Sequence, residues 1–436
     1  MKFYSTNNHS SLVSFRDAVI KGLAEDGGLY MPQHIPILTS SFFKDLRKCS
    51  FTEIGFEIAS KFIEANEIPS NDLKKIIDKA IDFPAPLVKL NDSLNVLELF
   101  HGPTLAFKDF GARFMARVMS YFIKNSNQEM NILVATSGDT GSAVANGFYG
   151  AEGIKVFLLY PKNKVSPLQE KQLTTLDKNI TALEIDGTFD DCQQMVKAAF
   201  VDGELKCKMN LSSANSINIA RLIPQIFYYF EAYKQLPGFD KEVYISVPSG
   251  NLGNLTGGLI AKKMGLPVSK FIAATNSNNV FTEYVKSGRF VPRSSIKTFS
   301  NAMDVGNPSN LARINGLFNN DVSLIRKVIY SSSYTDDNTI SAIKEVNAKY
   351  NYTIDPHGAV GYLALRDYLK NISKNSFYGI IVETAHPAKF KDIVESATCK
   401  EINMPEILSN CLEKEKRAVA LPNEYKSLKN YLLSIA

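Results

Sequence analysis

The sequence has few of the features that define several large classes of protein. Its five cysteines are scattered along 436 residues, odd in number and without a C-x-x-C pair, so neither a disulfide framework nor a zinc site is expected. No apolar run approaches the ~20 residues that a membrane-spanning helix needs. The polar N-terminus also lacks the apolar core of a signal peptide. These absences predict a protein of the reducing cytoplasm, without a membrane partner and without a metal site.

An excess of charge of one sign is also missing. The net charge is +5, from 49 Lys and Arg against 44 Asp and Glu, and both signs are interspersed. Because there is no long basic block, we do not expect nucleic-acid binding. A hydrophobic content of 45% and a charged content of 21% are ordinary for a globular enzyme. A chain of this length predicts more than one packed unit.

The pattern of apolar residues divides the chain into three parts. Residues 1–90 carry helical spacing and end near the Pro-rich stretch 83–86, which predicts a mostly helical N-terminal unit. In residues 91–404, short apolar strands alternate with helices, a pattern typical of an α/β fold with parallel sheets. Residues 405–436, with the charge run 414–417, predict a solvated helical tail.

Individual elements of the middle part can be predicted, although residues 294–334 are ambiguous. The predicted strands are 131–136, 155–160, 180–185, 243–247, 271–275 and 378–383. One predicted helix begins at residue 142, and five others span residues 167–176, 189–200, 221–236, 255–264 and 359–370. Strand-to-helix connections of these predicted elements are therefore the places to look for a binding site.

Two strand-to-helix junctions are rich in glycine and in small polar side chains. They are residues 136–142 (TSGDTGS) and 248–254 (PSGNLGN). Free N–H groups and the dipole at a helix N-terminus favour anions, glycine lets the backbone approach closely, and Ser, Thr and Asn side chains add donors. Neither junction has the spacing of G-x-x-x-x-G-K-S/T or G-x-G-x-x-G, which argues against an NTPase and a dinucleotide site. Two such cradles suit one phosphate and one carboxylate.

Lys108 lies in an otherwise apolar run, residues 101–110 (HGPTLAFKDF), directly before a helical pattern. A desolvated lysine has a lowered pKa, and its amine becomes a usable nucleophile or base. By itself this run favours a structural lysine whose stem covers apolar surface. Combined with a phosphate cradle, however, it suits pyridoxal phosphate, which needs both a lysine and a phosphate site. Thr384, after a predicted strand, offers a neutral hydroxyl for the pyridine nitrogen.

Taken together, these motifs resemble the threonine synthase family, whose fold is of the tryptophan synthase β-subunit type. The resemblance runs through nearly the whole chain, including residues 14–18, 27–30, 101–110, 137–141, 166–171, 215–218, 249–254, 301–305 and 384–390. It implies two open parallel-sheet lobes around a pyridoxal phosphate cleft, with Lys108 as the Schiff-base lysine and Thr384 facing the pyridine nitrogen. The implied cofactor-phosphate loop consists of Gly250, Asn251, Leu252, Gly253 and Asn254. The implied substrate-carboxylate loop consists of Ser137, Gly138, Asp139 and Thr140.

The resemblance also implies a reaction. The family converts O-phospho-L-homoserine and water to L-threonine and phosphate, a carbon-oxygen lyase reaction of threonine biosynthesis. The substrate amine displaces Lys108, the freed amine acts as base at Cα and Cβ, phosphate leaves from Cγ, and water adds at Cβ. Leu252, where Phe is common in the family, and Asn7, where Arg often stands, depart from the family pattern without affecting the reaction. A monomer or a homodimer is expected.

Other interpretations remain open from the sequence. A hydroxy-amino-acid dehydratase or a β-replacement enzyme of the same fold is the main alternative, and a non-catalytic relative that binds phosphorylated metabolites is another. The distal phosphate of the substrate has only candidate ligands, which are Arg16, Arg113, Lys162, Arg221 and Lys389. His101 and His386 are equally compatible with shaping the pocket and with touching a ligand.

Overall fold

The computed structural model describes residues 1–9, 11–124, 129–136, 138–372 and 376–435. Its strands are β1 (Phe3–Ser5), β2 (Leu12–Val13), β3 (Tyr30–Pro32), β4 (Leu87–Lys89), β5 (Leu94–Glu98), β6 (Met130–Ala135), β7 (Ile154–Pro161), β8 (Ile180–Asp186), β9 (Asn210–Ser213), β10 (Glu242–Pro248), β11 (Lys270–Thr275), β12 (Ile329–Ser333), β13 (Phe377–Glu383) and β14 (Val419–Pro422).

Helices surround these strands. The α-helices are α1 (Phe15–Lys21), α2 (Ser40–Asp45), α3 (Phe51–Ala59), α4 (Ser70–Ala80), α5 (Lys108–Ile123), α6 (Asp139–Phe148), α7 (Pro167–Thr174), α8 (Phe189–Val201), α9 (Gly203–Lys208), α10 (Ile219–Leu222), α11 (Pro224–Lys234), α12 (Gly253–Lys263), α13 (Val280–Ser287), α14 (Leu311–Leu317), α15 (Val322–Val328), α16 (Asp336–Tyr350), α17 (Pro356–Leu369), α18 (Lys391–Thr398), α19 (Glu406–Leu412) and α20 (Tyr425–Ser434). Short 3₁₀ helices lie at Leu46–Lys48, Asn301–Met303 and Pro387–Phe390. In the described part of the chain, no helix is long and apolar enough to cross a bilayer.

The N-terminal unit is mostly helical, but it begins with a small antiparallel sheet of order β2-β1-β3 that the sequence analysis missed. Its strands have only two or three residues, too few to show a reliable alternation. Its helices carry local start signals, such as the capping box of Ser50 and Glu53 at the start of α3. The unit shares one apolar core with α5 and α11, so a domain division at residue 90 stays a prediction.

Two open sheets form the middle of the molecule. The six-stranded sheet has the order β12-β11-β10-β13-β5-β4, and only its edge strand β4 is antiparallel. The five-stranded sheet has the order β14-β8-β7-β6-β9 and is parallel throughout. The chain passes from the first sheet to the second between β5 and β6, by way of α5. The predicted α/β class with two parallel-sheet lobes is therefore confirmed.

The six predicted strands are confirmed as β6, β7, β8, β10, β11 and β13. Five strands were not predicted from the sequence. They are β4, β5, β9, β12 and β14, and all of them except β5 lie at sheet edges. Serine-rich segments such as β12 (IYSSS) have weak strand propensity and are strands because a neighbour pairs with them. Pro224 divides the predicted helix 221–236 into α10 and α11, and the helix predicted from residue 142 begins at Asp139.

The C-terminal segment requires a correction, because it is not a solvated helical tail. Its strand β14 extends the five-stranded sheet by pairing with β8, and α20 buries Leu428 and Leu432 in the core of that lobe. The charge run 414–417, from which a solvent-exposed face was predicted, also forms ion pairs with the rest of the lobe. The amine of Lys416 pairs with Glu170 at 2.8 Å and with Glu184 at 2.5 Å.

Candidate active site

Lys108 is the first residue of α5, and the loop before it is fixed to the end of β13. The backbone N–H of Phe107 donates to the carbonyl of Thr384 at 2.9 Å, and Ala106 forms a β-bridge with Ala385. Leu105 turns the chain in the left-handed region, with φ of 55°. Because of these contacts, the structure brings Lys108 and Thr384 together at one end of the six-stranded sheet.

The turn before α5 is built around a buried carboxylate. Asp109 accepts hydrogen bonds from the backbone N–H of Thr104 at 2.8 Å and from its hydroxyl at 2.7 Å. Burial raises the pKa of Asp109 to about 6, while these two hydrogen bonds act in the opposite direction. At Gly102, a Cβ atom would lie 2.5 Å from Asp109 Oδ2. The glycine and threonine of the motif therefore hold the first turn of α5.

The pKa of the Lys108 amine is set by burial and by three charged side chains around it. Burial lowers the pKa of Lys108 to about 8; the charges of Arg221 and Lys389 also lower it, and the carboxylate of Asp139 raises it. Ordinary lysine has a pKa of 10.5. With a pKa of about 8, roughly a tenth of the amine is neutral at pH 7, a proportion that lets it act as a nucleophile or base.

Asp139, the first residue of α6, is paired with Lys389 from the 3₁₀ helix after β13. The two charged atoms lie 2.5 Å apart, and both side chains are buried. Burial alone raises the pKa of Asp139, but the charges of Lys389 and Lys108 outweigh it and hold the pKa well below its usual range. Gln169 also donates to the carboxylate, at 3.1 Å. An ionised Asp139 therefore balances part of the positive charge around Lys108.

The first glycine-rich loop folds around the hydroxyl of Thr136. This hydroxyl accepts from the backbone N–H of Gly138 at 3.0 Å and of Gly141 at 2.8 Å. Gly138 has φ of 143°, and a Cβ atom there would lie 2.6 Å from the side chain of Gln169. Thr140 is partly exposed in the first turn of α6. Ser137, predicted to belong to this loop, lies outside the described residues.

The second glycine-rich loop, residues 250–254, has backbone N–H groups that are free to bind a ligand. Within the described structure, the N–H groups from Gly250 to Asn254 donate to no protein acceptor, and they lie at the N-terminus of α12. Leu252 takes the left-handed conformation, with φ of 61°. A Cβ atom on Gly250 would lie 2.8 Å from Cα of Met303, so glycine permits the close packing behind the loop. Such a row of free donors at a helix N-terminus suits an anion.

The side chains of Asn251 and Asn254 form hydrogen bonds with other protein groups. They are therefore not free donors for a ligand, contrary to the expectation from the sequence. Asn251 donates to the hydroxyl of Ser216 at 2.5 Å and accepts from the backbone N–H of Ser309 at 2.6 Å. Asn254 donates to the carbonyl of Pro248 at 2.8 Å. Both amides fix the shape of the loop, which leaves the backbone N–H groups as the binding surface.

A second buried carboxyl group stands beside Thr384, and the sequence analysis missed it. Glu383 accepts from the backbone N–H of Asp355 at 2.7 Å, and its other oxygen has no partner among the described residues. Burial, and then the negative charge of Asp355, raise the pKa of Glu383 well above its usual range. A Cβ atom on Gly358 would lie 1.6 Å from Glu383 Oε2. Burial therefore favours the neutral form of Glu383, and its only sequence signal was its position at a strand end.

The candidate ligands for a distal phosphate occupy different environments. Arg113 donates to the carbonyl of Ala80 at 3.0 Å and pairs with Asp82 at 2.5 Å, so it joins α5 to the N-terminal unit. Arg221 is buried and donates to the carbonyl of Ala214. The remaining candidates are the exposed Arg16 and Lys162 and the buried Lys389. Of these five candidates, Arg221 and Lys389 are the two whose charges lower the pKa of Lys108.

The two candidate histidines are both engaged with protein groups. His101 makes a hydrogen bond of 2.7 Å with Glu98. His386 Nδ1 accepts from the backbone N–H of Ala388 at 3.1 Å, which caps the 3₁₀ helix that carries Lys389. Burial lowers the pKa of His386, so the ring is neutral at neutral pH. These contacts favour a role in shaping the pocket.

The site fits the requirements of pyridoxal phosphate. The second loop is a cradle of free N–H groups for a phosphate, and a side chain at Gly250 would disturb it. Lys108 supplies an amine of lowered pKa. Thr384 is buried at the end of β13, and within the described structure its hydroxyl makes no hydrogen bond. Pyridoxal phosphate needs a binding site for its phosphate, a reactive amine for its aldehyde and a neutral partner for its ring nitrogen.

Family comparisons agree with this chemistry. Residues 82–383 match the family described as pyridoxal-phosphate dependent enzyme. The fold and the site thus define a pyridoxal-phosphate-dependent enzyme. Residues 2–81 match the description threonine synthase N terminus, and residues 358–432 match threonine synthase, C-terminal. The chain belongs to the threonine synthase family.

Individual relatives are similar over the whole length. The threonine synthase of Serratia marcescens is 44% identical over 436 residues, which cover 100% of both chains. The crystal structure of threonine synthase from Escherichia coli superposes with a TM-score of 0.93 at 42% identity, with 100% of each chain covered. The structure of pyridoxal-phosphate-bound threonine synthase from Brucella melitensis has a TM-score of 0.92 at 36% identity and covers 99% of this chain and 98% of that one.

Proposed function

We propose that this protein converts O-phospho-L-homoserine and water to L-threonine and phosphate, using pyridoxal phosphate bound at Lys108. The observation that carries the proposal is a buried amine of lowered pKa that interacts with Asp139 of the first loop. The second loop follows β10, the parallel neighbour of the strand β13 that precedes Thr384, so this loop and Thr384 lie at the same end of the six-stranded sheet. The match to threonine synthases over the full chain supports the choice of reaction. The scattered, unpaired cysteines support a cytoplasmic location, and we propose a monomer or a homodimer.

In this proposal, the second loop binds the cofactor. The N–H groups of Gly250, Asn251, Leu252, Gly253 and Asn254 hold its phosphate, with the dipole of α12 adding to the attraction. The hydroxyl of Thr384 faces the ring nitrogen. A neutral hydroxyl accepts or donates a hydrogen bond there without supplying a negative charge that would stabilise a protonated ring nitrogen.

Lys108 is the proposed proton carrier. Bound pyridoxal phosphate supplies an electron sink that stabilises negative charge developing at the substrate carbon atoms. The Lys108 amine would take the proton from Cα, and the ammonium so formed must give up that proton before the nitrogen can take one from Cβ as phosphate leaves from Cγ. The positive charges of Arg221 and Lys389 oppose its reprotonation, and Asp139 keeps its pKa from falling further.

The first loop is proposed to bind the substrate carboxylate through backbone N–H groups and the hydroxyl of Thr140. For Asp139, only the backbone fits this role, because its ionised side chain would repel a carboxylate and is already committed to Lys389. Gly138 lets the chain turn into α6 without a side chain in the way. The assignment of Ser137 rests on the sequence alone.

The experiment that tests the function compares the release of inorganic phosphate with the release of ammonia. The full chain with pyridoxal phosphate is given O-phospho-L-homoserine, L-serine or L-threonine, and inorganic phosphate and ammonia are measured. We expect stoichiometric phosphate and threonine from the first substrate, and little ammonia from the others. Ammonia release without phosphate release would contradict the proposal and favour a hydroxy-amino-acid dehydratase of the same fold.

A further inference from the structure

Arg313, in α14, is a fully buried arginine whose hydrogen bonds all go to neutral groups. Two of its nitrogens donate to the carbonyl of Tyr30, at 3.2 and 3.1 Å. The remaining bonds reach the carbonyl of Ser216 at 3.1 Å, the carbonyl of Ile217 at 2.5 Å and the side-chain oxygen of Asn310 at 2.8 Å. The guanidinium of Arg313 thus connects three parts of the chain. They are the N-terminal unit, the segment that precedes α10, and the start of α14 itself.

The charge of Arg313 has no counter-charge in the described part of the chain. Burial lowers the pKa of Arg313 to about 9, and no carboxylate opposes this shift. The group is therefore still a cation at neutral pH. Buried charges are ordinarily paired, because neutral hydrogen bonds do not replace the hydration that a charge loses. An unpaired buried cation indicates that an anion belongs nearby.

Hydrogen bonds connect Arg313 to the second loop by two routes. Asn310, which accepts from Arg313, donates through Nδ2 to the carbonyl of Asn251 at 2.9 Å. Ser216, whose carbonyl accepts from Arg313, receives at its hydroxyl the bond from Asn251 Nδ2 at 2.5 Å. The four residues form a closed ring of hydrogen bonds, with Asn251 at the loop and the guanidinium behind it.

The loop at 250–254 has no lysine or arginine of its own, yet a bound phosphate monoester carries roughly −1.5 to −2 charges at neutral pH. We propose that Arg313 is a positioning residue that presents a fixed positive charge behind the cofactor phosphate and holds Asn251 in the loop. This inference rests on the proposed function, because the anion is the phosphate of pyridoxal phosphate. A cation behind a row of N–H donors strengthens phosphate binding without filling the cradle.

The test compares pyridoxal phosphate with pyridoxal, which lacks the phosphate, as ligands of the full chain. In Arg313→Gln, the dissociation constant for pyridoxal phosphate should rise about tenfold or more, since a nearby charge is lost. The constant for pyridoxal should change by less than about twofold, because no phosphate is present to respond. Arg313→Lys keeps the charge and should retain most of the preference for pyridoxal phosphate.

Phosphorus NMR of the holoenzyme gives a second measurement that a purely structural role would not move. A neighbouring cation favours the doubly charged phosphate, so its removal in Arg313→Gln should raise the pKa of the bound phosphate relative to the unmodified protein. Equal weakening of both ligands, or an unchanged ratio of the two dissociation constants, would overturn the proposal.

A second variant leaves the guanidinium in place and changes its neighbour Asn310. If Arg313→Gln does not fold, Asn310→Asp is measured in its place, because a carboxylate at that position pairs the charge while the guanidinium stays. The same loss of preference for pyridoxal phosphate over pyridoxal is expected, and an unchanged ratio of the two dissociation constants overturns the proposal. An unmodified chain that binds no pyridoxal phosphate would overturn the proposed function too, whereas normal binding with an unaffected ratio overturns only the role of Arg313.

Discussion

Asp139→Asn should destabilise the protein strongly, because it removes one partner of a buried ion pair. In the unmodified protein, the Asp139 and Lys389 side chains are 3% and 0% exposed, and their charged atoms lie 2.5 Å apart. Without the carboxylate, the Lys389 amine keeps the carbonyl of Thr104, at 3.1 Å, as its acceptor. Breaking such a pair costs about 3–5 kcal/mol, since the remaining buried charge is uncompensated.

The measurement is the free energy of unfolding of the full chain in urea at neutral pH. The matched control is Asp45→Asn, which breaks an exposed pair with Lys48 of similar length, 2.7 Å, and should leave stability unchanged within error. Adding Lys389→Met to Asp139→Asn removes the orphaned charge and should recover much of the loss. A loss below about 1 kcal/mol for Asp139→Asn, the size expected of an exposed pair, would show that the buried pair with Lys389 contributes no more than a surface ion pair.

The same variant has a defined pH dependence. The pKa of Asp139 is held below its ordinary value of 3.8, so its contribution to stability is present above that value and disappears as the pH falls through the lower, folded-state pKa. The difference in stability between the unmodified protein and Asp139→Asn should therefore shrink below about pH 4. A difference that stays constant down to acid pH would contradict the assignment of an ionised, stabilising carboxylate.

Three other predictions follow from the same contacts. Gly250→Ala places a Cβ atom 2.8 Å from Cα of Met303 and should weaken pyridoxal phosphate binding about tenfold, as absorbance titration would show. Because the pKa of Lys108 is about 8, the rate of cofactor capture should rise with pH up to about 8 and then level off. Gly358→Ala places a Cβ atom 1.6 Å from Glu383 Oε2; it should cost about 1–3 kcal/mol of stability in urea unfolding, partly recovered by Glu383→Ala.

Each of these predictions has an outcome that contradicts it. Gly203→Ala is the control for the glycine substitutions, because a Cβ atom there meets nothing within 4 Å; equal effects of Gly250→Ala and Gly203→Ala would remove the steric argument. A capture rate that keeps rising to pH 10 would show that Lys108 has an ordinary pKa. A Gly358→Ala variant as stable as the unmodified protein would show that Glu383 moves freely.

Local patterns in the sequence indicated which strand-to-helix connections form the candidate site. The run around Lys108 and the two glycine-rich junctions are contiguous stretches whose residue types restrict the backbone, so their place between strand and helix could be inferred from order alone. The six longer strands were predictable because continuous apolar runs mark buried parallel strands. The edge strands β9 and β12 were not, since these serine-containing segments become strands through pairing with a neighbour. The edge strands β4 and β14 have only three and four residues, too few to show a pattern.

Pairings between distant parts of the chain could not be predicted. Lys389 was a candidate ligand for the substrate, and nothing in its surroundings in the sequence indicates that Asp139 neutralises it. The ring of hydrogen bonds around Arg313 joins residues from three separate segments. Such contacts depend on the packing of the two lobes, and spacing within one segment does not encode them.

The most direct test of the central claim is to reduce the cofactor-loaded protein with borohydride, digest it and locate the pyridoxyl label by mass spectrometry. The account predicts a single label on Lys108, no label in Lys108→Ala, and loss of turnover in that variant with an unchanged far-ultraviolet circular dichroism spectrum. Lys389 is the internal comparison, because it is another buried lysine of the same site. A label on Lys389, or full activity in Lys108→Ala, would contradict the account.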